Sequence, residues 1–110
     1  MIRIGLAQIN TIVGDISGNL VKMIGAIARA KEHDVELLVF PELTVCGYPP
    51  EDLLYKSHFI DQNKKALKQL EKYSKETTLI VGYVDTDTQG NRYNAAAVLN
   101  QGRLAGVYRK

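Results

Sequence analysis

The sequence predicts an α/β fold, a mixed sheet with helices packed on it. Three observations carry this. Strand-like apolar runs alternate with helical patterns in the first three quarters of the chain. Two further strand patterns then follow one another across a short polar turn, as in a hairpin. The run Val35–Phe40 is almost wholly apolar, which suits a strand covered on both faces rather than one with a wet side.

The elements follow in order. Ile2, Ile4 and Leu6 alternate, and Ala7 and Ile9 extend the apolar character, so the first strand is expected at 2–9. Asn10–Gly14 is a connection. Asp15, Ser17 and Asn19 offer side-chain acceptors for the free N–H groups of a helix start. Leu20, Met23, Ile24, Ile27 and Ala28 then recur at helical spacing, with Lys22, Arg29, Lys31 and Glu32 mostly opposite, which predicts a helix over 17–32. A strand at 35–40 ends at Pro41, which has no N–H for a ladder.

A loop holding Gly47, Pro49 and Pro50 precedes Glu51-Asp52, an acidic pair suited to a helix N-terminus. A short helix is predicted at 51–56 and a long one at 58–76. The long helix buries Phe59, Ile60, Leu67, Leu70 and Tyr73 and turns Lys64, Lys65, Lys68, Lys72 and Lys75 outward. Strands at 78–84, 92–99 and 103–108 complete the pattern. The last two pair across Asn100-Gln101-Gly102, and a polar turn centred on Gly90 separates the first two.

Bulk composition narrows the function. The chain has 110 residues, enough for one small domain. It is 45% hydrophobic and 24% charged, ordinary for a soluble globular protein, with a net charge of +2. Such a charge argues against nucleic acid or an anionic membrane as partner. The lysine row on the long helix is interrupted by Glu71 and Glu76 and has no interleaved aromatics, so it reads as a solvated face. No apolar run is long enough to span a bilayer. The N-terminus enters a strand pattern without a leader-like segment, and the single cysteine forms no internal disulfide. Both point to a cytoplasmic address. His33 and His58 lie far apart without a ligand pattern, so no metal site is expected. No glycine-rich phosphate loop is present.

The chemistry concentrates at Phe40-Pro41-Glu42-Leu43 and at Lys110. A carboxylate just past the C-terminal end of a buried strand faces the crevice where open α/β sheets take ligands. Half desolvated, Glu42 would suit proton transfer. Lys110, closing the last strand pattern, offers an ammonium for a developing oxyanion. Each also has a plain reading, a loop carboxylate and a solvated strand end. Cys46 is a thiol four positions after Glu42 whose only close charged neighbour is acidic and would raise its pKa, so it reads better as a small packed thiol than as a nucleophile. Tyr48, between Gly47 and Pro49, is either packing or the wall of a substrate pocket.

These pieces resemble the N-terminal part of the nitrilase, or carbon–nitrogen hydrolase, superfamily. The matching segments are Ile4–Asn10, Gly14-Asp15 with Asn19, Leu38–Leu43, Tyr93-Asn94-Ala95-Ala96-Ala97-Val98 and Val107–Lys110. More narrowly, Gly47-Tyr48-Pro49-Pro50-Glu51-Asp52-Leu53-Leu54 is similar to the glutamine-hydrolysing domain of bacterial glutamine-dependent NAD synthetases. The resemblance implies a partial α-β-β-α sandwich and a Glu–Lys–Cys triad. In it Glu42 is the general base and Lys110 the oxyanion-stabilising cation. Tyr48 lines the glutamine pocket, and the nucleophilic cysteine lies beyond residue 110.

It further implies glutamine as substrate, with the released ammonia passed to an ATP- and magnesium-dependent amidation of deamido-NAD in a second domain. The full-length protein is expected to be a homo-oligomer. Residues 1–110 are thus expected to be a fragment without amidase activity or much independent stability. Two alternatives stand beside this reading: a stand-alone carbon–nitrogen hydrolase of another amide or nitrile, and a non-catalytic assembly module.

Overall fold

A computed structural model describes residues 1–48, 50 and 56–110. The described elements run β1 (Ile4–Leu6), α1 (Ile16–Glu32), β2 (Leu37–Val39), α2 (Ser57–Leu70), a 3-10 turn (Glu71–Ser74), β3 (Thr78–Thr86), β4 (Arg92–Asn100) and β5 (Arg103–Arg109). They form one five-stranded sheet in the order β1-β2-β3-β4-β5. β1, β2 and β3 are parallel, joined by the two helices as crossovers. β3, β4 and β5 are antiparallel neighbours. The sheet is therefore mixed, as expected.

Alternation sets the two faces. Leu38, Leu79, Val81, Ala97 and Leu99 are buried on the face that carries both helices. Met23 and Ile27 of α1 and Phe59, Ile60, Leu67 and Leu70 of α2 complete that core. The opposite face is apolar but open. Ile4 and Leu6 are exposed, and Leu37, Val39, Ile80 and Val98 are half-buried. The expected cover on both sides of 35–40 is thus present on one side only, where Leu38 and Phe40 point.

Several boundaries differ from the sequence reading. β1 is limited to three residues, because only Ile4–Leu6 find ladder partners on β2. The long helix stops at Leu70 and tightens into the 3-10 turn, where Ser74 Oγ donates to the Glu71 carbonyl at 2.7 Å. β3 continues to Thr86, and the polar turn begins at Asp87. Asp87 accepts the Gln89 and Asn91 N–H groups at 2.9 Å, the Asn91 amide and the Tyr93 hydroxyl. Those bonds hold its carboxyl down at about 2. The predicted short helix at 51–56 falls largely outside the described residues.

Two buried amides tie the layers together. Asp15, not Asn19, caps α1, accepting the Gly18 N–H at 3.0 Å. Asn19 is instead fully buried. Its Nδ2 donates to the carbonyls of Ile12 (2.9 Å) and Val45 (3.1 Å), and its Oδ1 accepts the Ile12 N–H at 2.8 Å. Asn63 of α2 plays the matching part on β3. Its Nδ2 donates to Val84 O at 2.6 Å and its Oδ1 accepts the Val84 N–H at 3.2 Å. β2 ends opposite Ile80, so the β3 edge beyond it needs other partners, and Asn63 is one of them.

Candidate active site

Glu42 owes its place to how β2 ends. The Phe40 N–H makes a last ladder-like bond to Ile80 O at 2.9 Å. Pro41 then turns the chain across β3 instead of along it. The crossing point is Gly82: a Cβ there would stand 2.5 Å from Leu43 N and 2.6 Å from Pro41 O. Only glycine lets two backbones approach so closely.

The turn is fastened by Val45 N–H to Gly82 O (3.2 Å), Gly47 N–H to Leu43 O (2.9 Å) and a hydroxyl bond from Thr44 to Pro41 O. Leu43 adopts φ +49°, a left-handed conformation that costs a leucine about 1–3 kcal/mol. Its burial and these bonds hold it there. Gly47, at φ +82°, packs on Val13, where a Cβ would come within 2.7 Å of backbone. The loop bearing Glu42 is therefore built, not incidental.

Lys110 follows β5 directly. Its N–H donates to Asn94 O at 2.9 Å, continuing the β4–β5 ladder by one residue. The end of β5 is braced from the other face of the sheet. Arg109 Nε meets Asp85 Oδ2 at 2.7 Å, and its guanidinium lies 4.7 Å from the centre of the Tyr93 ring. Its bond to the Asp85 carboxylate outweighs desolvation and holds the guanidinium protonated more firmly than usual.

The two predicted catalytic residues meet in one cleft. It opens on the face away from the helices, has a volume of about 410 Å³, and is lined among others by Glu42, Gly82, Asn94, Tyr108 and Lys110. Asn94 Nδ2 donates to Glu42 Oε1 at 2.8 Å. Both Glu42 and Lys110 are exposed, so the expected half-desolvation of the acid is not seen on this open sheet face.

Tyr48 is 64% exposed and does not line this cleft. Cys46 is fully buried, with Sγ 3.4 Å from Gly47 O and 3.7 Å from Leu43 O. Burial pushes its thiol up to about 11, so at neutral pH it is neither ionised nor accessible. It is the packed thiol its sequence context suggested.

Sequence reasoning did not single out Gly82 or the side chain of Asn94. A glycine inside the strand-forming run Thr78–Val84 was the available signal for the first. Nothing local signalled the second, since its partner lies 52 positions away. Among the described residues no group of three or more His, Cys, Asp or Glu side chains could hold a metal. No described helix is long and apolar enough to cross a membrane.

Comparison with known proteins places this geometry. The family model described as carbon-nitrogen hydrolase matches residues 3–110. The chain belongs to the carbon-nitrogen hydrolase family. It is 43% identical to the glutamine-dependent NAD(+) synthetase of Thermotoga maritima over 99% of this chain and 19% of that protein. The structure of the Acinetobacter baumannii glutamine-dependent NAD+ synthetase in complex with ADP superposes with a TM-score of 0.91. That similarity holds at 40% identity and covers 97% of this chain and 20% of the other.

An amidase from Nesterenkonia sp. gives a TM-score of 0.88 at 26% identity, over 99% of this chain and 42% of that one. The chain spans about a fifth of the length of the synthetases it matches. The five-stranded sheet with helices on one face is thus part of the carbon-nitrogen hydrolase sandwich.

One consequence for this family member concerns Cys46. Cys46→Ala in the full-length protein should cost no more than about 0.5–3 kcal/mol of stability, read from a thermal melt, since it removes one buried atom and no charge.

Proposed function

We propose that residues 1–110 are the N-terminal part of the glutamine-hydrolysing domain of a glutamine-dependent NAD synthetase, and that they supply its general base and its oxyanion cation. The observation that carries this is the shared cleft. Glu42 and Lys110 line one opening and are bridged through a single residue, Asn94. The identity to the Thermotoga maritima synthetase across nearly the whole chain supports the choice of substrate.

In this reading Glu42 takes the proton of a cysteine thiol supplied by a later part of the domain, and the thiolate attacks the side-chain amide of glutamine. Lys110 stabilises the negative charge that develops on the amide oxygen. Glu42 then returns the proton to the leaving nitrogen, ammonia departs, and a thioester remains. Water, deprotonated by Glu42, releases glutamate. Tyr48, exposed on the loop that carries Glu42, is assigned to the wall of the glutamine pocket. The ammonia would amidate deamido-NAD at a site that uses ATP and magnesium and lies outside these residues. The same reading gives the full-length protein a cytoplasmic address and a homo-oligomeric assembly.

A second reading is a free amidase, favoured by the fold-level similarity to the Nesterenkonia amidase. The purified full-length protein separates them. We expect glutamate release from glutamine, and NAD formed from deamido-NAD, ATP and magnesium with glutamine as nitrogen donor. Amide hydrolysis without NAD formation would favour the free amidase. Absence of both would overturn the proposal.

A further inference from the structure

We propose that Asn94 is a positioning residue that holds the general base and the cationic residue of this site in one register; this rests on the reading in which Glu42 and Lys110 act on an amide. Asn94 is the one described residue bonded to both. Its side chain reaches the carboxylate, with Nδ2 2.8 Å from Glu42 Oε1. Its main-chain carbonyl accepts the Lys110 N–H at 2.9 Å. Its own place is fixed by β4, where it pairs with Val84 on β3, two positions along from the Gly82–Ala96 pair under the Glu42 turn. A shift of β4 by one residue would turn the Asn94 side chain to the other face of the sheet and break its bond to Glu42.

The chemistry favours an amide at this position. A carboxylate only accepts, so the amide must present its nitrogen to Glu42. The donor is neutral, so it holds Oε1 whether Glu42 is ionised or protonated. The proton taken from the nucleophile is thereby directed to Oε2, which accepts no hydrogen bond among the described residues. An Arg or Lys at this place would pin Glu42 in its charged form and oppose proton uptake. An Asp would repel it.

The bond also does little for the fold. Glu42 is exposed, Asn94 is half-exposed, and hydrogen bonds at such sites add little to stability. Its use must be sought in the direction it gives the carboxylate.

The test uses the full-length protein with Asn94→Leu, which removes the donor at similar size, and Asn94→Asp, which keeps shape and main chain but replaces the donor with an acceptor. In both, kcat for glutamine hydrolysis should fall about ten- to hundredfold, as for loss of one hydrogen bond to a charged group, with KM within about threefold. Tm should stay within about 3 °C. For Asn94→Asp the deficit should shrink toward acid pH, where a proton shared between the two carboxyl groups restores a donor. Unchanged kcat in both variants, or a loss confined to KM, would overturn the inference.

Should Asn94→Leu fail to fold, Asn94→Asp decides alone. Should the unaltered protein release no glutamate from glutamine, the glutaminase reading fails first. The same variants are then judged on a simple aliphatic amide such as propionamide, where parental kcat, or no hydrolysis by the parent, also ends the inference.

Discussion

Glu42→Gln in the full-length protein is expected to slow glutamine hydrolysis by about 10²–10⁴-fold, the range for loss of a positioned general base. The glutamine side chain still offers an oxygen to Asn94 Nδ2, so the 2.8 Å contact can persist while the proton-accepting function is lost. KM should change little, because in the proposed reading the carboxylate transfers protons rather than holding the substrate.

Lys110→Met should cost about 10²–10³-fold, in line with loss of one oxyanion donor. Its N–H to Asn94 O is a main-chain bond and survives the change. The double variant should fall far short of the product of the two losses, since residues that act as a unit are not additive. Steady-state glutamate release measures all three. Near-parental rates in both single variants would remove Glu42 and Lys110 from the chemistry.

The second large effect is structural at its origin. Gly82→Ala places a methyl group 2.5 Å from Leu43 N and 2.6 Å from Pro41 O, both backbone atoms that have no rotamer to yield. Either β3 or the Glu42 turn must move. The stability loss expected for such overpacking is about 1–3 kcal/mol. The activity loss should exceed what unfolding explains, because a shift near 1 Å in a catalytic group can cost about a hundredfold. Gly25→Ala serves as the control. Its Cβ would meet nothing within 4 Å on an exposed turn of α1, and it should add about 0.5–1 kcal/mol of helix stability with activity intact. Thermal melts beside kcat for the two variants decide the matter. A Gly82→Ala protein with parental kcat would show that the close approach does not position the acid.

Local chemistry made much of this fold readable. The helical spacing of Met23 and Ile27, the proline stop after Phe40 and the hairpin at Asn100–Gly102 each depend on neighbours in sequence, and each stands where expected. Misread features are those whose partners lie far along the chain. Asn19 looks like a helix cap because its side chain suits one. It is drawn instead to Ile12 and to Val45, a residue 26 positions away. Asn63 has no local signature at all, since its partner is a buried stretch of β3 edge that loses its ladder neighbour once β2 has ended.

The site followed the same rule. The placing of Glu42 and Lys110 at strand ends was legible in the sequence. Gly82 and Asn94, which set their geometry, are meaningful only once β3 and β4 lie side by side. Burial was the quantity least readable. The strand at 37–39 is covered from one side, and the carboxylate it delivers is exposed.

The most direct measurement is a structure of the full-length protein after reaction with an electrophilic glutamine analogue that traps the nucleophile. The adduct should sit in the cleft beside Gly82. The Lys110 ammonium should lie within hydrogen-bond distance of the former amide oxygen, and the Glu42 carboxylate beside the sulfur. An adduct from which either group is turned away, or one seated in a different cleft, would contradict the account.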